Sequence, residues 1–435
     1  MKNILLLVSV LFALACKNPV EEQENKKLNK LAGDYVRLGL TIGQYDEDFV
    51  DAYYGPDSLK PSRAAEEDFP KDSLVASVNE LMNELGSIAH SSISDSNKIR
   101  ANWMFDQLVA FNRRIRIFSE EYESFDDESR ALFGVAAPVY KEDYFKDLVK
   151  QLDGILPGKG NVSDRFQRLA NKFIIPKDKL EPVIKAAIAE ARKRTKSHYE
   201  LPANESFTLE LVEDKPWSGY NWYKGNYKSV IQINTDTKST IDRAIDVGSH
   251  ESYPGHHVYN MLLEKHLYRD RGWVELSLYP LFSPQSLIAE GSANYGIDVA
   301  FPGNDKVSFA KNVLLPLAGL DTTGIATYFK ALTIKGRLNY ARNEAARGLI
   351  DETMSRREAL SWLKKYCLMN NETAEKSLDF IKKYRSYVIN YNYGQDLIKR
   401  YVEQNGGTAQ APEKRWEIFG KLLSEPVSVS RLVKP

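Results

Sequence analysis

The segment His250-Glu251-Ser252-Tyr253-Pro254-Gly255-His256-His257 holds three of the chain's six histidines within eight residues, with a carboxylate directly after the first. Neutral imidazoles beside a glutamate are what a hydrolytic zinc site needs. The imidazoles hold the ion, and the glutamate takes a proton from water activated there. Packing alone is a poor explanation of such a cluster, because histidine is an indifferent core filler and an unpaired charge is costly to bury.

The spacing departs from the common helical pair. Ligands at i and i+4 lie about 40° apart around a helix axis and reach one ion, as in HExxH. Here i+4 is Pro254, which cannot bind metal. On an unbroken helix His256 would lie about 120° round from His250, and His257 about 10 Å further along the axis. Proline removes a backbone donor and pushes the residue before it out of the helical region. The spacing therefore predicts one helix ending near Tyr253 and another starting at Pro254-Gly255, with the two extra residues bulged so that His256 returns to the i+4 place. His257 then stands behind the site or serves as an oxyanion donor; its use as the ligand in place of His256 is the alternative.

A zinc hydrolase takes three protein ligands and leaves one position open. The third candidate is Glu290, in Ala289-Glu290-Gly291-Ser292-Ala293-Asn294-Tyr295, whose small residues suit close packing against the histidine segment. A lone helical glutamate is ordinarily a solvated charge, and the pairing with the histidines is what singles it out. A donor to the developing oxyanion is expected from the run Tyr384 to Gly394, with Tyr391 and Arg385 as the choices. Most of the 24 tyrosines are packing residues.

These motifs resemble those of the bacterial domain-of-unknown-function family numbered 885, whose members look like gluzincin zinc peptidases akin to the carboxypeptidase Taq and angiotensin-converting-enzyme groups. The likeness is carried by His250–His257, by Glu290 to Tyr295, by Tyr391-Asn392-Tyr393-Gly394 and by Asp51-Ala52-Tyr53-Tyr54-Gly55-Pro56. It spans most of the mature chain. It implies zinc held by His250, one of His256 and His257, and Glu290, with Glu251 as the base, in a gluzincin-like architecture of helices around a cleft. Many members have tryptophan where this chain has Ser292, which leaves the ligands intact and changes the pocket.

The elements that must position these residues are mainly helical. Helical periodicity runs over Leu74–Ile88, Asp95–Phe118, Lys177–Tyr199, Ile325–Arg347 and Ser355–Met369. Thr373 is read as the cap of the helix that leads to Tyr384, and residues 236–239 as the start of the one that leads to His250. Phe207–Val212 and Tyr227–Asn234 alternate as strands, the second after a Lys224-Gly225-Asn226 turn. The fold class expected is therefore mainly α with a small antiparallel sheet, which either covers the core or offers an edge to an extended peptide.

The ends and the composition set the remaining bounds. Lys2, the apolar run Ile4 to Leu14 and the small residues before Cys16 read as a lipoprotein signal over residues 1–15, too short to span a bilayer. Cys16 becomes the lipidated end, residues 16–28 a flexible tether, and 29–435 one large domain or two packed lobes, anchored at the envelope of a Gram-negative bacterium. Cys367 has no disulfide partner in the mature chain and reads as an apolar filler. The 59 basic and 59 acidic residues cancel, which argues against a nucleic-acid partner. Arg192 to Lys196 reads as a solvated helix end. The leading function is a zinc-dependent peptidase acting outside the cytoplasm. The alternatives are a zinc hydrolase of a non-peptide amide or ester, and a metal-containing binding lipoprotein. Glu251 argues against the last, since a structural ion needs no base.

Overall fold

A computed structural model describes residues 19–433, apart from 66, 90–92, 216 and 237. The signal over 1–15 and Cys16 lie outside the described residues. The fold is mainly helical, with one two-stranded and one three-stranded sheet. No helix among the described residues is long and apolar enough to cross a membrane.

The segment read as a tether is helical from Pro19, within the helix Pro19–Ile42. Its Glu, Gln and Lys residues are good helix formers, and Lys26 pairs with Glu22 one turn back at 2.9 Å. The same helix continues into Leu28, Leu31 and Tyr35, all buried, so the polar end extends a helix already anchored in the core. Elsewhere the periodic stretches form helices with small changes of boundary. The expected Ile325–Arg347 helix is two, Ile325–Leu338 and Tyr340–Ile350, separated at Asn339. The helix expected to be capped by Thr373 begins at Asn371. There Asn370 is the cap, accepting from the Thr373 backbone N–H at 2.8 Å. Cys367 is buried.

Strand β1 (Val50–Tyr53) pairs antiparallel with β5 (Leu278–Pro280). In the second sheet β4 (Lys228–Asn234) is central. It pairs antiparallel with β3 (Gly219–Tyr223) and parallel with β2 (Ser206–Val212). The edge strand β3 lies against the helix Ile241–Glu251, called here the histidine helix: a Cβ on Gly219 would meet Val247 at 2.5 Å and the Glu251 carboxylate at 3.0 Å. The histidine helix starts at Ile241, a little later than its polar leader suggests, and ends at Glu251.

The centre of the molecule is the helix Pro284–Ala300, which carries Glu290. Of its residues only Asn294 and Asp298 are not buried, the mark of a helix enclosed on all sides. It is crossed by the helix Ile389–Gln404, which carries Tyr391. A Cβ built on Gly291 would lie 2.5 Å from the Gly394 backbone, and one on Gly394 would lie 2.9 Å from the Leu287 carbonyl. The two backbones touch because neither residue has a side chain, and this is what the Glu-Gly and Tyr-x-x-Gly patterns are for. Gly291→Ala should lower stability by about 1–3 kcal/mol through overpacking. Denaturant unfolding checks this, and an unchanged midpoint would mean that the helices separate freely.

Candidate metal centre

The histidine helix ends one residue after His250, and the next helix, His256–Leu263, begins at His256 itself. The four residues between, Ser252 to Gly255, form the bulge. The Tyr253–Pro254 peptide is cis. Gly255 lies against the end of the histidine helix, where a Cβ would sit 1.8 Å from the His250 carbonyl oxygen. Only glycine fits there, and the tight return carries His256 back beside His250.

The result is a compact donor set. His250 Nε2 lies 3.1 Å from His256 Nε2, and Glu290 Oε2 lies 3.2 Å from the first and 3.7 Å from the second. For a tetrahedral ion with zinc-length bonds, neighbouring ligand atoms are about 3.3 Å apart, so the triangle has the right size. Among the described residues these three form the group of histidine and acidic side chains with ligand spacing.

The protonation pattern also fits a cation. Asn294 Nδ2 donates to the Tyr391 carbonyl at 2.8 Å, which turns its Oδ1 towards His250 Nδ1 at 2.9 Å. An amide oxygen only accepts, so His250 carries its proton on Nδ1 and presents the Nε2 lone pair to the cluster. Glu290 is anchored by its other oxygen, which accepts from the Tyr387 hydroxyl at 2.9 Å. Its Oε2 is buried with no hydrogen-bond donor. Lone pairs brought together in a buried place call for a positive charge between them.

Glu251 is buried beside this triangle, and burial pushes its carboxyl up to about 7. Asp51, on β1, accepts a hydrogen bond from Tyr220 on β3 and senses the charges of His256 and Glu290. Burial raises its carboxyl to about 6, with the Tyr220 bond opposing. Tyr391 is half-buried. Burial and the Glu290 carboxylate push its hydroxyl up, with Arg342 opposing and Glu251 adding to the rise.

His257 is not at the cluster. It is fully buried, its Nδ1 2.8 Å from the Ser229 hydroxyl and its Nε2 3.3 Å from Glu205 Oε2. Glu205 also accepts from the Tyr253 hydroxyl at 2.5 Å and from Arg192. Both ring nitrogens of His257 are thus committed to fastening the bulge, which leaves neither for a metal or an oxyanion. Arg385 is held by Glu128 at 2.6 Å and packs over Tyr122, so its guanidinium is engaged too. Asn294 and Tyr387 were not singled out by sequence, although Asn294 falls one helical turn after Glu290. Glu205 gives no local signal at all. Among the other histidines, His198 stacks on Trp416 and His266 lies 3.6 Å from Asp270, while His90 is outside the described residues.

No known family model and no curated protein matches this sequence. Solved structures do. A candidate lipoprotein from Colwellia psychrerythraea aligns over 83% of this chain and 68% of its own, with a TM-score of 0.52 at 13% identity. A candidate lipoprotein of unknown function from Shewanella oneidensis aligns over 82% and 73%, at a TM-score of 0.43 and 12% identity. An M32 carboxypeptidase from Deinococcus radiodurans aligns over 90% and 89%, at a TM-score of 0.45 and 10% identity. The first likeness establishes a shared overall fold; the other two are too distant to add to it.

Two outcomes follow from the site. Elemental analysis of the protein should find one zinc per chain, lost in His250→Ala and in His256→Ala but kept in His257→Gln. Zinc retained in His256→Ala and lost in His257→Gln would reverse the ligand choice. The second concerns Glu205. Burial would raise its carboxyl, but hydrogen bonds from His257, Tyr253 and Arg192 outweigh that and hold it at about 2. A depressed carboxyl stabilises the fold above its unfolded value of about 4.5, and the gain is lost as pH falls towards 2. Glu205→Gln should therefore cost about 3 kcal/mol near neutral pH, with the gap to wild type closing between pH ~4.5 and ~2. A gap independent of pH would show that the charge of Glu205 is not what matters.

Proposed function

We propose that this chain is a zinc-dependent peptidase, with the ion held by His250, His256 and Glu290 and with Glu251 as the general base. The observation that carries the reading is the convergence of two imidazole nitrogens and a carboxylate oxygen at 3.1–3.7 Å, directly beside a buried glutamate. A structural ion would more often be closed by four protein ligands, commonly cysteines. Among the described residues the donor set stops at three, and Cys367 is buried outside it.

Zinc at this place would supply a Lewis acid that polarises a substrate carbonyl and makes water acidic enough to lose a proton near neutral pH. The work of the chain's own residues follows from their positions. Glu251 accepts the proton of the attacking water at its carboxylate and returns it to the nitrogen of the departing amine. Gly219 lets β3 pack directly against the Glu251 side chain, since a Cβ there would meet Val247 at 2.5 Å and the Glu251 carboxylate at 3.0 Å, and this close contact helps to hold the base in place. The Tyr391 hydroxyl, kept protonated by burial and by the charges of Glu290 and Glu251, would donate to the carbonyl oxygen as negative charge builds on it. Tyr387 acts differently, since its hydroxyl is spent on Glu290 and orients that carboxylate. Asn294 fixes which nitrogen of His250 faces the ion.

The leader sequence supports an extracytoplasmic protein tethered to a bacterial envelope through Cys16, acting on peptides there. Peptides rather than other amides or esters are favoured by the presence of an edge strand, β3, beside the histidine helix, since an extended backbone can pair with a strand edge.

Glu251→Gln preserves size and hydrogen bonding but cannot take the proton. Its zinc content should equal that of wild type, while kcat on a peptide falls about 100- to 10,000-fold with KM little changed. Full turnover in that variant would remove Glu251 from the mechanism.

A further inference from the structure

The three-stranded sheet has two edges, and the one opposite β3 is unguarded. Strand β2 pairs only with β4. The bonds at the two ends of that pairing fix which backbone groups of β2 it uses. The Ser206 N–H donates to the Tyr227 carbonyl at 3.1 Å, and the Val212 carbonyl accepts from the Thr235 N–H at 2.8 Å. Backbone groups point to alternate sides along a strand, so the N–H and C=O groups of Phe207, Leu209 and Leu211 face away from β4. Among the described residues no backbone partner meets them there. Natural edge strands are ordinarily kept short, bulged, or interrupted by proline or inward charges, because an open edge recruits other chains. β2 has seven residues in continuous register, no proline and a single charge, Glu210. Leu211 is left exposed.

Beside this edge runs a groove of about 330 Å³ between Phe207 and the helix Leu180–Lys196. Ile188 and Phe207 give it an apolar floor, and Lys185, Arg192, Lys193 and Lys196 stand around it. No acidic side chain is among the residues that line it. Lys185, Arg192 and Lys196 follow one another at two turns and then one turn, so they form one stripe of the helix. Three of the cations have carboxylate neighbours that do not line the groove. Glu181 lies 2.6 Å from Lys185, Glu190 lies 3.5 Å from Lys193, and Arg192 holds Glu205. The first two pairs are on the surface and hold their partners weakly. Cations near a helix C-terminus complement its dipole, and by themselves they point to no ligand. A strand edge with its hydrogen bonds unmade is a separate feature, and the two side by side describe one kind of ligand.

We propose that β2 and this groove form a docking site for an extended acidic polypeptide segment, which adds to the sheet as a further strand and lays carboxylates along the cationic helix face. Side chains of an added strand alternate between its two faces, so every second residue reaches the helix. A second copy of this chain fits less well, since pairing β2 with β2 would bring an identical cationic helix against this one. A lipid headgroup matches the charge but has no backbone to meet the strand. The site shares no residue with His250, His256 and Glu290, and it stands independently of the peptidase reading.

The test is fluorescence anisotropy of a short labelled peptide amide of alternating threonine and glutamate, titrated with the full chain. Its counterpart of alternating threonine and lysine should bind at least about 10-fold more weakly, the worth of one charged contact. Lys193→Glu combined with Lys196→Glu should weaken the acidic peptide about 10- to 100-fold, and Lys185→Glu should act in the same direction. All three positions are exposed, so the variants keep the fold. Two further peptides carry N-methyl groups, one on every threonine and one on every glutamate. Only one of these sets turns its N–H groups to β2, so one peptide should lose binding and the other keep it. His250→Ala should bind the acidic peptide as wild type does. Equal binding of acidic and basic peptides, unchanged affinity in the charge-reversed variants, or equal effects of the two methylated sets overturns the proposal. Loss of binding in His250→Ala also overturns it, by placing the peptide at the metal centre. Retention on phosphatidylglycerol vesicles without peptide binding overturns it in favour of a membrane surface, and a dimer dissolved by Leu211→Lys without peptide binding does so in favour of a second copy.

Discussion

The structure turns on a contact with no side chain in it: the Cα of Gly255 against the carbonyl end of the histidine helix. A regular helix cannot bring residues six apart onto one ion. The chain therefore leaves the helix after Glu251 and re-enters at His256, and the return must be tight enough that the imidazoles meet at 3.1 Å. Any side chain at position 255 would collide with the His250 carbonyl and open the pair. Much of the surrounding architecture serves to hold this turn closed.

Glu205 is the main fastening. It gathers His257, Tyr253 and Arg192 around one carboxylate, tying the bulge to the helix Leu180–Lys196 on one side and, through Ser229, to the central strand on the other. Such a buried network is worth little as net stability, since desolvation opposes the attraction, but losing one member leaves the rest unpaired. Its value lies in fixing one geometry. The second anchor is the Gly291–Gly394 crossing, where two helices meet backbone to backbone. That contact sets Glu290 and Asn294 on one helix against Tyr391 on the other, so a ligand, the amide that orients His250 and the proposed oxyanion donor share one rigid joint.

Charge is sorted around this joint. Three carboxylates, Glu251, Glu290 and Asp51, gather on the side of the histidines and β1, where burial and their like charges raise the carboxyls of Glu251 and Asp51. Arg385 stands apart from this group, its guanidinium committed to the buried Glu128, which would be stranded without it.

Much of this was legible in the residues themselves. Ligand chemistry is a matter of residue type, so the histidine cluster and its glutamate marked the site. Proline and glycine at 254 and 255 announced the bulge because their backbone limits are local. Long helices follow from periodicity, which is equally local, and so did the small residues around Glu290. The tertiary structure decided what depends on residues far apart in sequence. That His257 is fastened by Glu205, 52 residues earlier, could not be seen from a motif in which His256 and His257 are adjacent and chemically identical. Arg385 reads in the sequence as a cation free to meet a substrate, and only folding gives it Glu128. Two of the strands in the second sheet were read correctly as strands, yet the parallel pairing of β2 with β4 is a property of how the chain returns and not of alternation. Local sequence determined which groups could do chemistry; long-range packing decided which of them were left free to do it.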